Sequence, residues 1–139
     1  MKYLLDTNMC IFLMKGHKSV VEHYKSRRHL GIAISSITTA ELYFGVYNSS
    51  DPKKNGANLT NFFMGIKSLS FDDIAALEYG RIRAVLRKRG TPIGQMDMLI
   101  AAYAKSHDLT VVTNNIREFE RIDGLLIEDW TTDQVVCAP

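Results

Sequence analysis

The stretch YLLDTN, residues 3–8, decides how the rest of the chain is read. Tyr3-Leu4-Leu5 is a short apolar run of strand type, and Asp6-Thr7-Asn8 is the polar stop that ends it. A strand this short and apolar belongs in the middle of a sheet covered on both faces. Downstream, the pattern alternates. Helical segments are expected at 7–15, stopped by Gly16, and at 18–28, followed by a buried strand at 31–35. A helix at 37–47 has Ser36 or Thr38 available as its cap, and Pro52 can open another at 53–66. A strand at 67–71 precedes a long amphipathic helix, capped by Asp72 or Asp73 and closed by Gly90. An almost wholly apolar helix at 95–106, a strand at 109–113, a short helix at 116–120 and a last strand at 125–127 complete the series. Strands alternating with helices imply one α/β domain over residues 1–139: a three-layer α/β/α sandwich around a parallel sheet.

Size and composition agree with that reading. At 139 residues, 46% apolar and 23% charged, the chain holds enough material for one core and too little for two ordinary domains. Net charge is only +2, but the charges are unevenly spread. Arg81, Arg83, Arg87, Lys88 and Arg89 crowd one segment, whereas from Glu118 onward the acids are opposed by Arg121 alone. Cys10 and Cys137 lie far apart without metal spacing, which fits a reducing, cytoplasmic setting. The apolar start is broken by Asp6 and Asn8 and lacks a small-residue cleavage site, so it does not read as a signal peptide. No stretch approaches the roughly 18 apolar residues of a membrane span. The histidines lack ligand spacing and are expected at the surface, Met96 and Met98 in the core, and Trp130 packed on the last strand.

Four acids carry the chemistry. Asp6 follows a strand; in open α/β sheets, strand carboxyl ends are where ligands bind. Glu41 shares its helical face with Ile37, Thr38, Phe44 and Gly45, the side expected to meet the sheet. Asp97 sits in QMDMLIAAYA on the face of Ile100, Ala101 and Ala104, near a helix start. Glu118 lies three residues beyond Asn115, after the strand that ends in Thr113-Asn114-Asn115. Taken singly, each has an ordinary explanation as a cap, a dipole partner or a surface residue. Taken together, a doubly wound sheet brings them to one edge, where carboxylates repel and raise one another's pKa. A divalent cation removes that repulsion, and hard oxygen donors without a His or Cys cluster suit Mg²⁺ or Mn²⁺. Such an ion can activate water and stabilise charge developing on a phosphodiester.

At these residues the sequence resembles the PIN-domain ribonucleases, and more narrowly the VapC toxins of bacterial type II toxin–antitoxin pairs. The resemblance rests on LLDTN (4–8), TTAELYFG (38–45), PIGQMDMLIAAYA (92–104) and VVTNNIREFERIDGLLIEDW (111–130), in that order over nearly the whole chain. It implies a PIN-like sandwich with a parallel sheet of four to five strands. It also implies Mg²⁺-dependent endoribonuclease activity, with Mn²⁺ as a substitute. By the same resemblance Asp6, Glu41, Asp97 and Glu118 are the catalytic acids, Asp6 and Asp97 the direct metal ligands, and Thr113 and Asn115 order the site. Many PIN domains carry aspartate where this chain has Asn115, which favours one tightly held metal over two.

The implied partners are a VapB-type antitoxin and a tRNA cut in the anticodon loop, initiator tRNA included. A homodimer, a larger complex with antitoxin and indirect DNA contact through the antitoxin are also implied, in the bacterial cytoplasm. Arg81, Arg87, Lys88 and Arg89 are a plausible surface for the RNA backbone. Some of Tyr43, Phe44 and Tyr47 are expected at a dimer or antitoxin groove, with a place in the interior as the equal alternative. Two rivals are weighed. A haloacid-dehalogenase-like phosphatase needs a second aspartate where this chain has Asn8. A non-catalytic PIN-like module that only holds RNA or protein should have lost a core acid, and none is lost.

Overall fold

Alternate residues of the first strand point into different cores, and this defines the layers. In the computed structural model, which describes residues 1–138, Leu4 packs in one apolar cluster, while Tyr3 and Leu5 pack in another. Strand side chains alternate faces, so β1 (Tyr3–Leu5) is sandwiched. On the Tyr3/Leu5 face lie α1 (Thr7–Met14), α2 (Lys18–Arg27), α3 (Ser36–Tyr47) and α4 (Pro52–Met64), through Met9, Cys10, Val20, Leu42 and Leu59. On the Leu4 face lie α5 (Asp73–Arg89), α6 (Gln95–Ser106) and the short α7 (Ile116–Phe119), through Ile82, Leu86, Ile100 and Phe119.

The remaining strands are β2 (Ile32–Ser35), β3 (Lys67–Leu69), β4 (Thr110–Val112), β5 (Leu126–Asp129) and β6 (Gln134–Cys137). They form one sheet in the order β3-β2-β1-β4-β5-β6. The first five are parallel; β1 pairs Tyr3 with Ile32 on one side and with Thr110 on the other. The chain therefore lays strands outward from β1 in one direction, then returns to its other side. This reversal puts a crevice at the carboxyl ends of β1 and β4, the place where such sheets bind ligands.

The expected parallel strands are all present, and β6 is an addition. It runs antiparallel to β5, with Leu126 opposite Cys137, after a turn in which Asp129 Oδ1 accepts from Thr131 N–H (2.9 Å) and Thr131 Oγ1 (2.6 Å). An otherwise open edge of β5 is thereby paired. The α3 cap is Ser35, one residue before the expected choice, and Asp72 caps α5.

Two packing expectations are corrected. Met98 is buried but Met96 is 48% exposed, because positions two apart on a helix fall on different faces. His23 is buried rather than at the surface. It contacts Ser19 O through Nδ1 (2.7 Å) and Asp133 through Nε2 (2.9 Å), and its ring stacks on Trp130. Trp130 is 1% exposed and meets Tyr3 edge-on at 5.2 Å, so it joins β1 to the C-terminal hairpin. Trp130→Ala is expected to lower unfolding free energy by about 3–5 kcal/mol, measured by urea denaturation.

Candidate active site

Asp6 is placed by β1 and then used by α1. Its backbone N–H donates to Val112 O on β4 (3.0 Å), and its Oδ1 accepts from Met9 N–H (2.8 Å) as the helix cap. The cap engages one oxygen, and Thr113 provides a side-chain hydrogen bond to the same carboxylate. At 3% exposure Asp6 is almost out of water. Burial, with the nearby charges of Asp97 and Glu41, raises its pKa to about 7 despite those two hydrogen bonds.

Glu41 reaches the site from α3, half-buried, where its Oε1 accepts from the Thr7 hydroxyl (2.5 Å). The face expected for it is corrected: Phe44 is 68% exposed and Gly45 is exposed, whereas Thr38 and Leu42 are buried. Glu41 stands at the boundary between the two faces, and this lets a carboxylate sit beside the sheet edge and still touch water. Asp97, in the first turn of α6, receives Asn115 Nδ2 on Oδ2 (3.3 Å). The same Nδ2 donates to Glu118 Oε2 (2.8 Å) on α7. Asn115 is in turn held by its backbone N–H on Thr113 Oγ1 (2.9 Å). Burial first, then the contact and charge of Glu118 and the charge of Glu41, lift Asp97 to about 6, with Asn115 pulling the other way.

The structure thus brings Asp6, Glu41, Asp97, Glu118, Thr113 and Asn115 into one neighbourhood. Thr7 belongs there too and was missed, although its place directly after Asp6 in a polar run was a usable signal. Among the described residues, none of the four acids makes an ion pair, whereas Glu78, Asp123, Glu128 and Asp133 each face a basic side chain. Only neutral donors hold the site acids.

A divalent cation fits this set by donor chemistry: every available ligand is a hard oxygen, and the burial and mutual repulsion that raise Asp6 and Asp97 are what a cation would offset. The arrangement is not a closed cage, since among the described residues no three His, Cys, Asp or Glu side chains are gathered closely enough to hold an ion unaided.

The basic residues are not joined to this cluster. Arg81 faces Glu78 (3.3 Å), and Arg89 grips Asp123 with two nitrogens (3.1 and 2.6 Å). Arg87 and Lys88 are exposed on the same helix. Tyr43, Phe44 and Tyr47 are exposed on α3.

Residues 3–125 match the PIN domain family. A protein of Salmonella typhimurium named tRNA(fMet)-specific endonuclease VapC is 46% identical over 133 residues, spanning 94% of this chain and 98% of that protein. A Shigella flexneri protein of the same name is 42% identical, with 94% and 99% covered. The chain is a VapC endoribonuclease of the PIN-domain family. Solved VapC-containing structures carry the same fold. The crystal structure of VapBC2 from Rickettsia felis, bound to a promoter DNA fragment, superposes with a TM-score of 0.89 at 37% identity, covering 94% of this chain and 99% of that one. DNA-bound VapBC from Salmonella typhimurium gives 0.89 at 44% identity, with 94% and 98% covered. No helix of this VapC chain is long and apolar enough to cross a membrane among its described residues.

The raised acids make stability pH-dependent. A carboxyl group whose pKa is higher folded than unfolded stabilises fully below the unfolded value, about 3.9, and that contribution is lost as pH rises through the folded value. In chelator, thermal stability is therefore expected to fall as pH rises from about 4 through 6 and 7, the values of Asp97 and Asp6. Added Mg²⁺ or Mn²⁺ should raise the melting temperature more at the alkaline end, because protons and cation compete for the same oxygens. Asn115→Asp should steepen both trends by adding a charge between Asp97 and Glu118.

Proposed function

We propose that this VapC chain is a Mg²⁺-dependent ribonuclease, with Mn²⁺ able to substitute, that cuts tRNA and is restrained by a VapB-type antitoxin. The observation that carries the metal dependence is a set of four acids at one sheet edge, held by Thr7, Thr113 and Asn115 with no basic partner among the described residues. Asp6 and Asp97, the two most perturbed, are the proposed direct ligands, with Glu41 and Glu118 completing the set. A divalent cation held there would supply positive charge against the scissile phosphate and lower the pKa of an attacking water.

The protein's own groups do the rest. Glu41 or Asp97 takes the proton of the water that attacks in line. Thr7 fixes the Glu41 carboxylate, and the Asn115 amide fixes Asp97 against Glu118, so both acids are oriented before substrate arrives. Water, not the ribose 2′-hydroxyl, is the nucleophile; the P–O3′ bond breaks, the leaving O3′ takes up a proton, and the products carry 5′-phosphate and 3′-hydroxyl ends.

The substrate and partner are supported by relatives. The Salmonella and Shigella proteins are named for tRNA(fMet), which makes initiator tRNA the first substrate to test. The Rickettsia and Salmonella structures are VapBC complexes bound to DNA, so an antitoxin that also bridges to DNA is the partner proposed here.

The test is a digestion of total tRNA by the purified chain, freed of antitoxin, with Mg²⁺, with chelator, and with Asp97→Asn. One discrete cut is expected, lost with chelator and reduced at least about hundredfold in the variant. Cleavage that survives both treatments, or a 2′,3′-cyclic phosphate on the product, would overturn the mechanism. A folded, inhibitor-free chain that binds tRNA without cutting it would instead be a binding module.

A further inference from the structure

Beside the acids, α1, α3 and α4 enclose an open groove of about 770 Å³. Its floor is apolar, built from Ile11, Leu42, Val46, Leu59 and Phe62, and Glu41 lines one part of it. One edge is different in kind. Asn55, Asn58 and Asn61, at successive threes along α4, all line the groove. The side-chain hydrogen bonds along α4 are those of Asp51 to Lys54 N–H and of Thr60 to Gly56 O; the three amides make none among the described residues. Lys15 lines the groove, and Lys53 and Lys54 stand exposed in the first turn of α4, none of them ion-paired among the described residues.

We propose that this groove receives an unstacked nucleobase of the substrate RNA next to the scissile bond, and that Asn58 and Asn61 read its edge. The inference rests on the ribonuclease function proposed above. Three features favour RNA as the occupant. The groove and the acid cluster share Glu41, so what lies in the groove lies beside the cut. Each amide offers two donors and one acceptor, the pattern that pairs with a base edge. The Phe62 ring and the aliphatic floor suit a flat base, as in single-stranded RNA recognition, while the unpaired lysines suit the flanking phosphates.

The test reads binding separately from cleavage. Short stem-loop RNAs, each loop base varied in turn, are titrated by fluorescence anisotropy onto the intact chain in chelator. The parent is expected to prefer one base at one loop position. Asn58→Ala/Asn61→Ala should flatten that preference by roughly tenfold or more with an unchanged melting temperature, because both positions are exposed. Asn58→Asp, which turns donors into acceptors, should change which base is preferred.

A preference untouched in all variants, or no base preference in the parent, overturns the assignment. So does a double variant that loses affinity only for the antitoxin, which would make the groove a protein-docking site. Absence of metal-dependent cleavage would count against the catalytic reading alone, since base preference is read without metal.

Discussion

The whole site depends on a buried aspartate that has no positive partner among the described residues. Asp6 is 3% exposed at the end of the central strand, and this burial, with the nearby charges of Asp97 and Glu41, raises its pKa to about 7. A lone ionised carboxylate in such a place is costly, and proteins normally answer with a lysine or arginine. This chain does so elsewhere: Glu78 is buried but faces both Arg81 and Lys105. At the sheet edge it uses a hydroxyl from Thr7, a side-chain hydrogen bond from Thr113 and one amide group of Asn115 instead. Neutral donors orient carboxylates without cancelling their charge. The stored repulsion stays available for something that arrives from solution.

Topology explains why that repulsion concentrates where it does. β1 is flanked by β2 and β4, and the chain reverses direction between them. Loops leaving β1 and β4 therefore diverge and leave a crevice, into which Asp6 and Thr113 project from the strand ends. Glu41, Asp97 and Glu118 come from three different helices, on both faces of the sheet. No local segment could gather them; the sandwich does. Trp130 helps to hold that frame, since its ring touches Tyr3 of the central strand and His23 of α2 while its own chain continues into the edge hairpin.

Much of this was legible in the sequence because short range and long range agree. Tyr3-Leu4-Leu5 is apolar at every position, as a strand covered on both faces must be, and Gly90 with φ +68° closes α5 where a left-handed residue was needed. What was not legible depended on contacts with no local signal. β6 is mostly exposed and only four residues long; it is a strand because β5 offers an edge to pair with. Glu41 was assigned to the sheet-facing side by helical spacing, but the facing surface of α3 is narrower than three- and four-residue neighbours suggest, and Phe44 falls outside it. His23 looked like a surface histidine until the hairpin folded over it. Asn115 is expected to order the site by resemblance alone; that a single amide nitrogen reaches two acids depends on how α6 and α7 meet.

That amide also bears on how many cations the proposed site would take. An aspartate at position 115 would place a further charge between Asp97 and Glu118, and the repulsion could then be relieved only by more positive charge. With asparagine, the Nδ2 donates to both neighbours and partly offsets their repulsion before any ion binds. Asp97 is lifted to about 6 by burial first and then by Glu118 and Glu41, while Asn115 pulls the other way. On the side nearest Asn115, a neutral donor thus already offsets part of that push. Asp6 is raised chiefly by burial, to which the charges of Asp97 and Glu41 add. One cation held by Asp6 and Asp97 would offset both shifts. A second would find on the Glu118 side two acids already tied to a neutral amide, and correspondingly less to gain.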